Sequence, residues 1–569
     1  MRGWDDDPEL ADIGPQSIYK VVRQLKKDDH GPYNCLASIV ADAAFVRDVR
    51  RRYPTLPVFA NLRCGLWYVD PNDRNDDHVS RQAASGGDSN NDDDDDAVGT
   101  CYFKSTDGHC NNWSFSATRL NVHVAEAAAT RGGCVVVDAT RSSTKRFPDS
   151  FSKTIPVWAE TISRAVARRR GIVPPTVDDD DESINPESSH RSTWGSGPHL
   201  PVWVGDNERN AIASRMPHFE ETLHAVLHDT DVLDALASKL TKPLRCVWVS
   251  RENEHSLPCV DNMSDLDFTP VVLVTASEPM QRHGERRTGE GGVPYAYIPG
   301  AGDDEESWAR GLTPAVFWAH KETFAACGSG GCAAIVDRIV KKTRGNEAAG
   351  MIRGVANDED EGEDSAHLAP RGCLSPNERA VASRGSLPLG AGGVRRLVSN
   401  GGVSLALGSV HALALEATWD AVDAVLYVGD DLPPLPADPA RWRHPESVDG
   451  DGETATGIYP APFLHAPMRY AKVARRDVAD GLEACLAFIR ANSARGGGTT
   501  LVACKDGVDH CVGVVVAALI DDDDDESEHS VSKDGVRRRL ADVARVHPEC
   551  RPSRGTLKQV FNRMFEMRR

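Results

Sequence analysis

No apolar run in this chain reaches the roughly 18 residues a membrane-spanning helix needs, so no membrane partner is expected. The start, Met-Arg-Gly-Trp-Asp-Asp-Asp, lacks the apolar core of a secretion signal, and the other end carries no lipidation box. The 14 cysteines include no CxxC pair and no zinc-like spacing. Cys327-Gly-Ser-Gly-Gly-Cys332 therefore reads as a loop with two thiols rather than half a metal site. These absences predict a reducing, soluble, cytoplasmic protein. A basic excess is also missing: the net charge is −20, which by itself argues against a nucleic-acid partner. The distribution reverses that argument. Four acidic runs at 92–96, 178–182, 358–364 and 521–526 hold 22 of the 85 acids, leaving 63 against 65 Lys and Arg elsewhere. Such runs read as solvated, disordered insertions, and the body of the chain stays near neutrality.

What is present is organised around 101–121. Lys104, Ser105, Thr106, Asp107, Gly108 and His109 are crowded between apolar flanks. Tyr102 and Phe103 read as a strand end. Ser116 reads as the N-cap of a helix with Leu120 and Val124 on one face. Lys104 to His109 would then form a loop at the C-terminal end of a strand, where α/β folds place chemistry. A plain polar surface turn would look the same.

The 569 residues suggest two to four domains at roughly 150 each. Ile18, Val21, Val22 and Leu25 have helical spacing behind Ser17, and Leu36, Ile39, Val40 and Ala43 repeat it. Residues 57–68 read as a strand and turn carrying Arg63, which would need an anion if buried. Gly132-Gly133 precedes three valines and Asp138, the pattern of a buried parallel strand with Asp138, Thr140 and Arg141 at its C-terminal end. Lys145, Asp149 and Lys153 follow in one loop before a helix over 159–170. Two polar loops at two strand ends, both with Lys, Asp and Thr, point to a phosphate pocket. Further on, 220–240 reads as a helix, with strands at 244–249 and 271–274. Gly300 and Gly302 would let backbone approach a ligand, and Asp303 and Asp304 could hold Mg²⁺ or simply start a helix.

The second half repeats the strand-loop-helix layout. Strands at 403–407, 422–428 and 500–503 are expected, the last running into Cys504-Lys505-Asp506-Gly507-Val508-Asp509-His510 before an apolar helix over 512–520. This loop, with Leu405-x-Leu-Gly408-Ser409 upstream, resembles the dual-specificity phosphatase fold. That family needs Cys-x5-Arg, and His510 stands at the Arg position with Asp509 before it. An aspartate there repels phosphate and disfavours a thiolate, so the loop predicts the shape without the phosphatase activity.

Several stretches together resemble one family. They are Asn61-Leu-Arg-Cys-Gly-x-Trp-Tyr68, Tyr102-Phe-Lys-Ser-Thr-Asp-Gly-His109, Trp113-x-Phe-Ser, Arg119-Leu-Asn121, Val137-Asp-x-Thr-Arg141 and Pro148-Asp149 with Ser152-Lys-Thr-x-Pro-x-Trp158. Gly300-Ala-Gly-Asp-Asp-x-Glu-x-Trp-Ala-x-Gly-Leu-Thr-Pro314 and Pro552-Ser-Arg-x-Thr-Leu557 complete the set. The chain resembles the initiator tRNA phosphoribosyltransferases, departing where Pro299 and Glu305 replace an expected Gln and His, and Val508 an expected Lys.

The resemblance implies an α/β fold, with a large N-terminal α/β domain (1–345), a linker (346–394) and a C-terminal domain resembling dual-specificity phosphatases (395–569). It implies transfer of 5-phosphoribosyl from phosphoribosyl pyrophosphate, with Mg²⁺, to the 2'-OH of adenosine-64 in the T stem of initiator methionine tRNA. That mark would favour initiation over elongation, and the nucleic-acid partner would be RNA and not DNA. On this reading Lys104, Arg141 and Lys153 take phosphates, Asp138 meets the ribose or Mg²⁺, and Asp107 or His109 takes the 2'-OH proton. Arg63, Ser105, Thr106, Gly108, Thr140 and Lys145 are further substrate contacts, with Asp303 and Asp304 at the metal. Cys504, Lys505, Gly507 and Arg554 are candidates for binding donor or tRNA phosphate. Arg168, Arg169, Arg170, Arg537, Arg538, Arg539 and Arg551 are candidate RNA-backbone contacts. The rival is an inactive phosphatase-like module that binds tRNA or a phosphopeptide through the Cys504 loop alone.

Overall fold

Runs of β-branched residues between Gly- or Pro-led turns build the two main sheets of the computed structural model. It describes residues 30–71, 98–142, 145–172, 194–195, 197–228, 230–253, 265–278, 286–289, 292–350, 395–398, 403–413, 418–419, 421–433, 435, 442–443, 461–469, 474–494, 498–523 and 531–568. The expected helix at 18–25, the polar loop after 71 and most of the 174–201 insertion and 346–394 linker lie outside these residues. The chain divides into two compact units. One holds Met1–Phe115, Val124–Leu223 and Thr230–Thr343; the other holds Ser116–His123, His224–Asp229 and Arg344–Arg569.

In the first unit β1 (Val58–Asn61) lies between β2 (Gly99–Cys101) and β3 (Cys134–Asp138). β4 (Leu244–Val249) and β5 (Thr269–Thr275) extend the sheet in the order β2-β1-β3-β5-β4, every pair parallel. β1, β3 and β5 are buried along their whole length, as strands covered on both faces must be. From β1 the chain steps outward to β2, then crosses back over β1 to reach β3. Connections thus diverge at the C-terminal ends of β1 and β3. Helix α1 (Pro32–Arg52) starts at Gly31 with Pro32 in its first turn and buries Leu36, Ile39, Phe45, Val46 and Val49. A single π-helical turn, Ser150–Thr154, leads into α2 (Ile155–Arg169). A small hairpin of β6 (Arg286–Thr288) and β7 (Pro294–Ala296) precedes the Asp303 loop.

The second unit carries β8 (Arg395–Val398), β9 (Ser404–Ser409), β10 (Ala424–Val428), β11 (Trp442–Arg443), β12 (Ala461–Ala466) and β13 (Thr499–Cys504). Their order is β11-β12-β10-β13-β9-β8, parallel except for the β8–β9 edge pair. β13 feeds the Cys504 loop and then α3 (His510–Asp521), whose residues from His510 to Ile520 are all buried. A helix apolar all round belongs inside a core, and α4 (Lys533–Val546) and α5 (Arg554–Met567) cover it.

Three expectations fail for local reasons. Cys327 to Cys332 is not a loop: Cys327 ends the helix Lys321–Ala326, and a second helix, Gly328–Gly350, starts at the next residue. Ser116 does not cap a helix: Asn121 adopts a left-handed φ of 47°, and the helix begins only at Val122. The helix expected over 220–240 is two, Met216–Leu227 and Val232–Lys239. Among the described residues, no helix is long and apolar enough to cross a membrane.

Candidate functional site

Asp138 ends the most buried strand of the first sheet, and its side chain is 0% exposed. A carboxylate in that position must be fully hydrogen-bonded. Its Oδ2 accepts from Asn61 Nδ2 at 2.8 Å, Arg63 Nε at 3.1 Å and Ser150 Oγ at 2.9 Å. Its Oδ1 accepts from the Ala139 amide at 2.9 Å and from the Cys64 thiol at 3.0 Å. Burial, reinforced by the Asp138 charge, pushes the Cys64 thiol well up, so it stays a proton donor. As placed, Asp138 is occupied by protein donors rather than turned to a ligand; it ties the ends of β1 and β3 to the Ser150 turn. Asn61, which the residue patterns did not single out for a role, also brackets Phe103, donating to its carbonyl at 3.0 Å and accepting its amide at 2.9 Å.

Arg63 finds its anions inside the protein. Nη1 donates to Asp303 Oδ1 at 2.7 Å and Nη2 to the Ala139 carbonyl at 2.7 Å. Burial opposes its charge, but Asp138, Cys64 and Asp303 outweigh that and hold its pKa above the usual value. Burial raises the Asp303 pKa, with Arg63 opposing. Asp303 Oδ2 accepts the Arg141 amide at 3.3 Å, and the Arg141 guanidinium pairs with Asp304. Gly300 is required for this approach: at φ 60° its position would put a Cβ 2.3 Å from the Thr140 carbonyl carbon. Glu305, at the departure from the family pattern, accepts the Trp67 indole N–H.

Directly after β2, Ser105–Gly108 forms a 3-10 turn. Its Gly108 packs so closely that a Cβ would stand 2.5 Å from the Asp149 carbonyl oxygen. Thr154 Oγ1 donates to the Lys104 carbonyl at 3.0 Å. Asp149 gathers nitrogen-bearing side chains from both loops: Lys145 Nζ at 2.7 Å, Lys153 Nζ at 3.4 Å and His109 Nε2 at 3.8 Å. Lys104, Thr106, Asp107, His109, Thr140, Arg141 and Lys145 are thus carried by loops tied to one another at the C-terminal edge of one sheet. The Ser105 Oγ is buried and makes no hydrogen bond. A buried hydroxyl of that kind needs an explanation, and an oxyanion bound in the turn would supply one. Lys153 differs from the expectation. It is 9% exposed and donates to Glu208 Oε1 at 3.0 Å, which also accepts the Trp113 indole at 2.8 Å. It anchors the loop rather than reaching a phosphate. Glu208 carries no signal in the sequence beyond being a helical glutamate.

A divalent cation does not fit Asp303 and Asp304 as they stand. Each carboxylate is held by an arginine, and no three acidic, His or Cys groups converge among the described residues.

In the second unit the Cys504 loop has the shape of an anion cradle, but the cradle is filled from within. Asp506 Oδ1 accepts the amides of Val508 at 3.0 Å and Asp509 at 3.3 Å, and the Cys504 thiol at 3.1 Å. Cys504 is 2% exposed, its Sγ 3.2 Å from Cys511 Sγ. Gly507 adopts φ 74° against Gly408 and Ser409. Asp509 turns away to accept the Ser553 amide at 2.9 Å and Thr556 Oγ1 at 2.7 Å, closing the N-terminus of α5. Cys504 and Gly507 are thus packed against protein partners, and the carboxylate that occupies the cradle is Asp506 rather than the expected Asp509. Lys505 and Arg554 are exposed. Of the arginine clusters, Arg169 pairs with Asp234, Arg537 with Asp534 and Arg539 with Asp523 and Asp542.

Two family models match the chain: the Rit1 N-terminal domain over 25–84 and 89–341, and the Rit1 DUSP-like domain over 462–564. An uncharacterized protein of Schizosaccharomyces pombe is 36% identical over 306 residues, 54% of this chain and 56% of that protein. The tRNA A64-2'-O-ribosylphosphate transferase of Saccharomyces cerevisiae is 29% identical over 322 residues, 54% of this chain and 53% of that protein. The chain thus spans about half the length of the curated relatives it matches. Among solved structures, human DUSP28 matches 31% of this chain and 95% of its own at 20% identity and a TM-score of 0.22. A leucine rich repeat and phosphatase domain containing protein from Entamoeba histolytica matches 29% and 86% at 13% identity, TM-score 0.19.

Proposed function

Since this chain belongs to the Rit1 family, we propose that it transfers 5-phosphoribosyl from phosphoribosyl pyrophosphate to the 2'-OH of adenosine-64 in the T stem of initiator methionine tRNA. The modified tRNA would be kept for initiation, and the protein would act in the cytoplasm. The observation that carries this reading is the joining of loops 104–109 and 145–154 through Asp149, at the C-terminal edge of the first sheet. In the reaction the C1–oxygen bond to pyrophosphate breaks, the ribose 2'-oxygen bonds to C1, and its proton passes to a base. Negative charge grows on the departing pyrophosphate, so cations fixed in advance lower the barrier.

Lys104, Lys145, Arg141 and Arg146 are cations of these loops with side chains within reach of solvent, and Ser105 Oγ would donate to a phosphate oxygen. His109 is the better base of the two candidates: its imidazole is 54% exposed, with Asp149 at 3.8 Å to orient it. Asp138, Asn61, Arg63 and Lys153 hold these loops in register. Mg²⁺ takes phosphate oxygens readily and would enter bound to the donor's pyrophosphate; Asp303 and Asp304 would have to release their arginines to ligate it.

The test is incubation of the protein with total tRNA, Mg²⁺ and labelled phosphoribosyl pyrophosphate. Label entering one tRNA is expected. Lys104→Ala should lower the rate by about 10²–10³; full activity in that variant removes Lys104 from the site. No label in any tRNA, with tRNA still bound, would favour the inactive phosphatase-like module.

A further inference from the structure

Large exposed hydrophobic side chains are few among the described residues, and two are adjacent: Val202 at 93% exposed and Trp203 at 50%. Leaving half an indole in water forgoes burial that a Trp side chain ordinarily gains. The ring is nevertheless held rigidly. It stacks on Phe147 with centroids 5.0 Å apart and planes 6° from parallel, and meets the Trp248 ring edge-on at 5.8 Å. Its Nε1–H donates to Ser152 Oγ at 3.2 Å. Trp248 is pinned in turn by donating to the Phe151 carbonyl at 2.9 Å. Every one of these partners lies on the loop 145–154 or beside it on β4. The loop that carries the platform also carries Lys145 and Arg146, 53% and 44% exposed, which pair with Asp149 and Glu252.

A preorganised aromatic face flanked by exposed cations is what an unstacked base and its phosphates require. One indole and one valine are far too little apolar area for a stable protein interface, and on the transferase reading the substrate is an RNA whose phosphates compete with Asp149 and Glu252 for Lys145 and Arg146. We propose that Trp203 is a stacking platform for an unpaired nucleobase of the RNA substrate, with Lys145 taking an adjoining phosphate. The proposal rests on the transferase reading and adds a contact to single-stranded RNA next to the T stem.

The experiment uses the full chain and two RNA probes: a T-arm hairpin with its loop, and a blunt duplex of the same stem. Binding is followed by anisotropy without donor, for the wild type, Trp203→Ala and Trp203→Phe. Stacking of one base, about 1–3 kcal/mol, predicts that Trp203→Ala weakens hairpin binding about 5- to 150-fold. Duplex binding should be unchanged, and Trp203→Phe should bind the hairpin to within about threefold of the wild type. In the transfer assay KM for tRNA should rise while kcat holds. Equal hairpin affinity in Trp203→Ala, or equal losses on hairpin and duplex, overturns the platform and leaves the transferase reading standing. If the wild type binds the hairpin but transfers no label, the transferase reading fails and the hairpin-to-duplex ratio still decides the platform. If the wild type binds neither RNA, both fall.

Discussion

Removing the Asp138 carboxylate should unfold the first unit's site from its centre. Asp138→Ala strands the Nδ2 of Asn61, the hydroxyl of Ser150 and the Nε of Arg63, all within 3.1 Å of one oxygen. Breaking a buried pair by deleting one partner costs about 3–5 kcal/mol, because the remaining charge stays desolvated. Arg63 keeps Asp303, at 2.7 Å, which places the expected loss toward the lower end of that range. Asp138→Asn keeps the shape but presents an NH₂ to donors on one side or the other, so it should cost nearly as much. The measurement is urea unfolding followed by tryptophan fluorescence, reading the transition of the first unit. A double-mutant cycle with Arg63→Met separates the ion pair from the rest, with a coupling of about 1–3 kcal/mol expected for residues in one network. A loss below about 1 kcal/mol for Asp138→Ala, or no coupling to Arg63, would refute the account of Asp138 as the organising anion.

Asp42 is buried on α1, accepts from Tyr297 Oη at 2.9 Å, and burial pushes its carboxyl up to about 8 despite Arg251. The native state then holds a proton that the unfolded chain gives up near pH 4, so stability should fall as pH rises from about 4 to 8 and level off above; Asp42→Asn should flatten that slope in unfolding curves taken across the range. Asp506→Ala frees the amides of Val508 and Asp509 and removes a charge, so titration calorimetry should find tungstate binding in the variant and none in the wild type. Equal binding by both would show that Asp506 does not fill the cradle. The wild type should likewise not turn over p-nitrophenyl phosphate. Gly108→Ala forces a Cβ against the Asp149 carbonyl and Thr154 Oγ1 and should abolish ribosyl transfer while leaving the circular dichroism spectrum intact; normal transfer would show that the turn can shift without harm.

The elements themselves were legible because their signals are local. Three valines ending in Asp138, the Gly300 and Gly302 approach, the apolar helix behind Cys504 and the polar turn after Cys101 each announce a backbone state through propensity and spacing. The stretch at 116–121 misled because a capping serine is a weaker instruction than an asparagine held left-handed. That two helices, Met216–Leu227 and Val232–Lys239, stand where one was expected was hidden because apolar spacing runs on from one to the other.

Which residues meet a substrate was decided elsewhere. Chain order shows that Asp138, Lys153, Asp303 and Arg141 are charged and near strand ends, yet not that Asp138 and Lys153 are consumed by protein partners while Lys145 and His109 remain accessible. That distinction comes from parallel pairing of β1 with both β2 and β3, which brings Asn61, Phe103 and Asp138 together across 77 residues of sequence. Desolvation then determines each role: a charge sealed inside must satisfy its own neighbours, and only one left at the rim can answer to a ligand. Burial is a property of the assembled layers, so sequence alone could name the ionisable groups and tertiary structure alone could divide them into braces and contacts.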